Sequence, residues 1–205
     1  MPDGPRETPL NTHTLEVWGE LACFTRPEMK VERFSYPLIT PSAARGIFDA
    51  IYWDGKRDKQ RTGNTVREVI RPYFYWQVTR IEVLEMPRFI ALRRNEVKGT
   101  VPGLTTLNKW MNGKENPQPL WADGDDETTG RTQRQTVALK NARYRITARI
   151  EPRAAHRHEL GKLNACFLRR AESGKCFQQP YFGCREFPAF FEYIAPNTSP
   201  SPQAP

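Results

Sequence analysis

Only two stretches of this chain carry helical periodicity, and they lie far apart with strand-like segments on either side. In the first, Ala44, Ile47, Phe48 and Ile51 recur on one face. Thr40 is placed to cap it, and Pro41 fits the first helical position, where a missing N–H costs nothing. Tyr52 and Trp53 end this helix and Asp54-Gly55 breaks it. The second helix runs from Glu159 to Glu172, with Leu160, Leu163, Phe167 and Ala171 as its apolar stripe, and Ser173-Gly174 closes it. Alternating segments predict strands at Leu15–Phe24, Tyr73–Leu84, Phe89–Val97 and Ala142–Ile150, and around Phe187–Tyr193. Met86-Pro87 reads as a turn that sends Phe89–Val97 back antiparallel to the preceding strand. The order strand, helix, strand, strand, helix, strand predicts an α+β, ferredoxin-like domain: an antiparallel sheet with two helices on one face and the other face open. RNA-recognition modules bind bases on such an open face, often by aromatic stacking, but the fold alone does not fix a function.

The remaining segments set the boundaries. Residues 1–14 read as a flexible tail, 15–194 as the domain, and the Pro- and Ser-rich 195–205 as a disordered tail. Two insertions interrupt the domain. Residues 54–71 form a polar, cationic excursion expected to be a mobile loop, in which solvated charge and RNA contact are both open readings. Residues 98–130, with Trp110, Trp121 and the acidic run Asp123–Glu127, read as a long loop.

Thirty-one Lys and Arg against 23 Asp and Glu give a formal net charge of +8, which favours an acidic partner, most often nucleic acid. Arg26, Lys30, Arg33 and Arg45 flank the first helix, Arg93 and Arg94 end the third strand, and Arg131 and Arg134 precede the fourth. Contacts from such residues to phosphates supply affinity with little sequence information. No apolar run is long enough to span a bilayer and the polar N-terminus has no signal core, so the chain is expected in the cytoplasm without a membrane partner. Cys23, Cys166, Cys176 and Cys184 match no paired zinc spacing and read as reduced, small apolar residues. No cofactor is expected, and no Ser-His-Asp, P-loop or metal–carboxylate motif is present.

Three blocks, VWGELACFTRPEMKVERFSYPLITPSAARGIFDAIYW, RRNEV at Arg93–Val97 and FQQPYFGCREFPAFF at Phe177–Phe191, resemble CRISPR-associated proteins of the Cas-five family, Dvulg subtype (type I-C), within the repeat-associated mysterious protein superfamily. The resemblance implies a metal-independent endoribonuclease that processes precursor CRISPR RNA and remains on the 5′ handle of the guide in a surveillance complex. Its implied partners are the repeat RNA, the other type I-C subunits and double-stranded DNA. RNA brings its own nucleophile, the 2′-hydroxyl, so general acid–base and electrostatic catalysis suffice. The family site combines a Tyr at the end of the first helix, matched by Tyr52, with a Lys-His pair, of which the Lys is matched by Lys162. The His position holds Leu163. Either His158 or His156 stands in from upstream, or Tyr52 and Lys162 suffice, or the chain caps the guide as a non-catalytic assembly subunit. Family members usually have a shorter connection than 54–71 and continue into a small C-terminal sheet, of which a remnant is expected here.

Overall fold

The computed structural model describes residues 11–29, 31–62, 65–98, 102–118 and 130–195. Among these described residues, eight strands and three α-helices follow one another as β1 (Thr12–Ala22), β2 (Arg33–Phe34), α1 (Pro41–Ile51), β3 (Gly55–Thr62), β4 (Thr65–Pro72), β5 (Phe74–Glu85), β6 (Arg88–Val97), α2 (Leu104–Met111), β7 (Arg131–Pro152), α3 (Leu160–Glu172) and β8 (Phe190–Ile194), with a 3-10 turn at Ala154–Glu159 leading into α3. The result is a mixed α/β structure with a mostly antiparallel sheet.

The central sheet has the order β8-β1-β7-β5, each neighbour antiparallel to the next. Alternation along β1 and β7 turns Leu15, Val17, Tyr144, Ile146, Ala148 and Ile150 to one side, where all six are buried. Phe74 and Trp76 of β5 join them, and α1 and α3 close over that side with Ala44, Ile47, Phe48, Ile51, Leu163, Phe167 and Ala171. α1 begins as expected: Thr40 accepts from the Ala43 N–H at 3.2 Å, and Pro41 opens the helix. The opposite face is open and largely ionic. There Glu16 receives Arg143 and, at 3.1 Å, Arg145, while Trp18 and Phe190 stack with centroids 6.4 Å apart.

Three sequence expectations change. Met86-Pro87 is not a reversal. β5 pairs with Arg143–Pro152 of β7 and β6 pairs with Arg131–Lys140, both antiparallel, so β6 continues past β5 in the same direction along the same neighbour. Pro87 interrupts the ladder because it has no N–H, yet a two-residue reversal needs positive-φ residues, which Met-Pro does not supply. β7 yields at the same level, at Asn141 with φ 58°. Arg131–Leu139 is accordingly strand, the outer half of one 22-residue β7. Residues 54–71 are mostly a regular antiparallel hairpin, β3–β4, in place of a mobile loop. The 98–130 insertion contains a short helix, α2, while Trp121 and Asp123–Glu127 lie outside the described residues.

A second, smaller core forms where the last loop meets the start of β6. Cys23, Ala138, Cys184 and Phe187 pack there with Leu21, Ile90 and Leu92. The approach is close: a Cβ on Gly183, which has φ 79°, would lie 2.1 Å from the Cys23 carbonyl oxygen. Pro188 and Phe182 likewise leave no room for a side chain on Gly19, whose Cβ would lie 2.8 Å from the Pro188 oxygen.

Candidate functional site

The C-terminal end of α1, the start of β5 and the start of α3 meet at one rim of the sheet. Tyr52 leaves the helix in extended conformation, its N–H still bonded to the Phe48 carbonyl. Its ring stacks on Phe74 at 5.4 Å, and Trp76 donates its indole N–H to the Tyr52 carbonyl at 3.1 Å. The side chain is therefore fixed, and only 5% of the residue is exposed. Its hydroxyl donates toward Asp54 Oδ2 at 3.5 Å, and the Arg170 guanidinium lies 5.7 Å from the ring centroid. Burial first, then the Cys166 thiol and the Asp54 carboxylate, push the phenol well above its ordinary range. It stays protonated at neutral pH and can act there as a hydrogen-bond donor or a proton source.

A cluster centred on Glu159 stands at the start of α3. His156 Nδ1 lies 2.7 Å from Glu159 Oε1, His158 Nε2 lies 3.8 Å from the same oxygen, and Lys162 Nζ lies 3.5 Å from Oε2. The bond to His156, then the one to Lys162, holds the Glu159 carboxyl below the usual range. His156 also packs on Tyr73, ring centroids 4.3 Å apart. Tyr73 in turn donates its N–H to the Asp54 carbonyl at 3.1 Å, which ties this cluster to Tyr52. Helix geometry adds a second link. Lys162 is one turn before Cys166, the thiol beside the Tyr52 hydroxyl, a step of about 6 Å along α3. Lys162 and His158 are exposed and His156 is half-buried. Leu163, at the expected histidine position, is 1% exposed in the core. An imidazole there would face Phe167 and the sheet, away from this rim.

The cationic residues divide into groups. Arg33 and Arg94 share Glu186, at 2.5 and 2.9 Å, and Arg94 and Arg134 share Glu96, at 3.1 and 2.8 Å. Burial would raise the Glu186 carboxyl, but a backbone N–H and the Arg33 and Arg94 guanidiniums hold it low. These three arginines thus sit in one chain of ion pairs beside the second core. Arg26 lies over the rings of Phe34 and Tyr36 at 4.8 and 5.5 Å. Arg45 faces Asp49 at 3.9 Å. Arg93 and Arg131 are exposed on β6 and β7, and Lys30 lies outside the described residues.

Comparison with known proteins decides the family. The family model described as CRISPR-associated protein (Cas_Cas5), of the Cas5d type, matches residues 13–204. This chain belongs to the Cas5d family. A protein of Mannheimia succiniciproducens named CRISPR pre-crRNA endoribonuclease Cas5d is 40% identical over 189 residues, covering 91% of this chain and 74% of its own length. A Thermus thermophilus protein of the same name is 36% identical over 177 residues, covering 86% of this chain and 62% of its own. A crystal structure titled as a CRISPR-associated protein superposes with a TM-score of 0.52 at 18% identity, over 90% of this chain and 66% of that one, and supports the fold. This Cas5d chain thus spans between about three fifths and three quarters of these proteins.

Of these neighbours, Tyr52, Lys162 and the two histidines are candidates that the sequence itself offers, whereas Glu159, Asp54 and Tyr73 join them only in the fold. One signal was available. His156, Glu159 and Lys162 recur every three residues, which a 3-10 turn running into an α-helix gathers on one side. Asp54 and Tyr73 carry no such signal, because the whole β3–β4 hairpin separates them in sequence.

Proposed function

We propose that this chain is a metal-independent endoribonuclease of a type I-C CRISPR system, which cuts the repeat transcript and stays on the 5′ handle of the guide. The observation that carries this reading is the convergence of His156, His158 and Lys162 on Glu159, a cluster joined through Tyr73 to the Asp54 that faces the Tyr52 hydroxyl, in a chain of the Cas5d family. The 2′-hydroxyl attacks the adjacent phosphorus, the 5′ oxygen leaves, and a cyclic phosphate remains. His158 or His156 accepts the 2′ proton. Lys162 steadies the charge on the phosphorane, and Tyr52 donates toward the leaving oxygen. We read β1-α1-β5-β7-α3-β8 as a ferredoxin-like domain that begins with β1 at Thr12, within the expected 1–14 tail, instead of at 15, and runs to 194 with insertions at 54–71 and 98–130. Its partners are the repeat RNA, the other subunits of the surveillance complex and, through that complex, double-stranded DNA. Arg26, Lys30, Arg33, Arg45, Arg93, Arg94, Arg131 and Arg134 contribute phosphate contacts.

The deciding assay is incubation of the purified protein with repeat RNA in EDTA. Cleavage to a product ending in a cyclic phosphate is the expected result; intact RNA at saturating protein rejects it. A second reading is favoured by Leu163 in the core and by the burial of Tyr52: a non-catalytic subunit that caps the guide. Under it, Tyr52→Phe and Lys162→Ala leave RNA binding and assembly intact, and the wild type never cuts.

A further inference from the structure

The β3–β4 hairpin has no role in the site just described, yet it grows from its edge. Gly55 opens it one residue after Asp54, and Pro72 closes it one residue before Tyr73. The two ends pair with each other, and the fit is tight: a Cβ on Gly55 would lie 2.7 Å from the Arg71 carbonyl oxygen. The hairpin is thus held at its root by the residues that frame Tyr52 and His156.

Its two faces differ in charge. Asp58 bridges Lys56 and Arg71, at 3.7 and 3.1 Å, so these three side chains share one face and are paired there. Strand alternation turns Arg57, Lys59 and Arg61 to the other face. All three are exposed, and among the described residues none of them is in an ion pair. The cross-strand neighbours of Arg57 and Lys59 are Ile70, 47% exposed, and Glu68. Three cations therefore stand in a row against one carboxylate. Every second residue of a strand is about 6.7 Å further along, on the order of the phosphate-to-phosphate step of an extended nucleic-acid strand.

We propose that this face of β3–β4 is an RNA-backbone rail, along which Arg57, Lys59 and Arg61 take successive phosphates of the single-stranded RNA that leaves the cleavage site. The inference rests on the proposed ribonuclease reading for its substrate. It adds a contact surface outside the flanks of α1 and the β6–β7 arm. An extended cationic row suits an extended single strand. Phosphate contacts predict affinity without base preference.

Binding of two RNAs to full-length protein tests it: the repeat hairpin with a single-stranded extension beyond the cut site, and the same hairpin trimmed flush at that site. The triple variant R57Q/K59Q/R61Q is expected to lose roughly 10- to 100-fold in affinity for the extended RNA at about 50 mM salt, and its log K against log salt slope should become shallower by about 2. Its affinity for the trimmed hairpin should stay within about twofold of wild type. Glu68→Gln, which removes the carboxylate from that face, should bind the extended RNA more tightly, a gain that a misfolded protein cannot produce. K56Q/R71Q, on the paired face, should do little. Equal losses on both RNAs, an unchanged salt slope, or an unaltered Glu68→Gln would each overturn the rail. Absence of cleavage by the wild type bears on the ribonuclease reading alone, since the comparison of the two RNAs needs only binding.

Discussion

Tyr52 is held by Phe74, Trp76 and Asp54 at a place where its hydroxyl remains protonated. If it donates a proton during strand scission, Tyr52→Phe should slow single-turnover cleavage by about 10²- to 10⁴-fold while leaving RNA affinity within a few fold, as followed on labelled repeat RNA. Leu163 makes the complementary case. Leu163→His would restore the family residue type, but in a core position next to Phe167 with no partner for the imidazole. The expected result is a loss of roughly 2–4 kcal/mol in a urea titration and no gain in cleavage rate. His13 offers a third check. It is buried between Trp76, Phe167 and Tyr193, bonded through Nε2 to Asn164 at 2.8 Å. Burial lowers its pKa, outweighing the opposing effect of Asn164. Below the ordinary value of 6.5 the unfolded chain takes up this proton more readily than the native one, so stability falls as pH drops through and below that value. The slope attributable to His13 is at most about 1.4 kcal/mol per pH unit. Urea midpoints between pH 7.5 and 5.5 should show the decline, and His13→Phe should flatten it.

At the scale of elements, the legible parts were those whose own residues carry a signal. Thr40-Pro41 with Ala44, Ile47, Phe48 and Ile51 fixes α1, and α3 follows from Leu163, Phe167 and Ala171 in the same way. Thr40→Ala should cost about 1 kcal/mol, measured by thermal or urea unfolding, because the Ala43 N–H loses its acceptor. What sequence could not disclose was pairing. The direction of β6 depends on which strand lies beside it, and that partner, Arg131–Lys140, is distant in sequence and polar enough to resemble a loop. The hairpin β3–β4 was hidden similarly: charged residues on both faces remove the apolar alternation by which a half-buried strand is recognised, and only cross-strand hydrogen bonding reveals it. The candidate site shows the same division. Tyr52 and Lys162 were legible from local blocks, whereas Asp54 and Tyr73 come together only through the root of that hairpin.

For the whole molecule, the count of 31 Lys and Arg overstates the cations free to meet RNA, because Arg33, Arg94 and Arg134 are tied to Glu96 and Glu186. Glu186→Gln removes the acceptor that Arg33 and Arg94 share. It should raise affinity for RNA at low salt and steepen the salt dependence by about 1, as read from binding isotherms between roughly 50 and 200 mM salt. An unchanged slope would mean that these guanidiniums serve the second core alone. The same region rests on β7, whose inner half backs the main core and whose outer half pairs with β6. At about 3.3 Å per residue its 22 residues would reach at most roughly 70 Å, with Asn141 the one place where the strand departs from extended backbone. Such a beam has no loop at which to swing, only the interruption that Asn141 shares with Met86-Pro87: anything that seizes its outer end meets an angle set at that one level when the chain folds, and bending it anywhere else breaks rungs of the ladder.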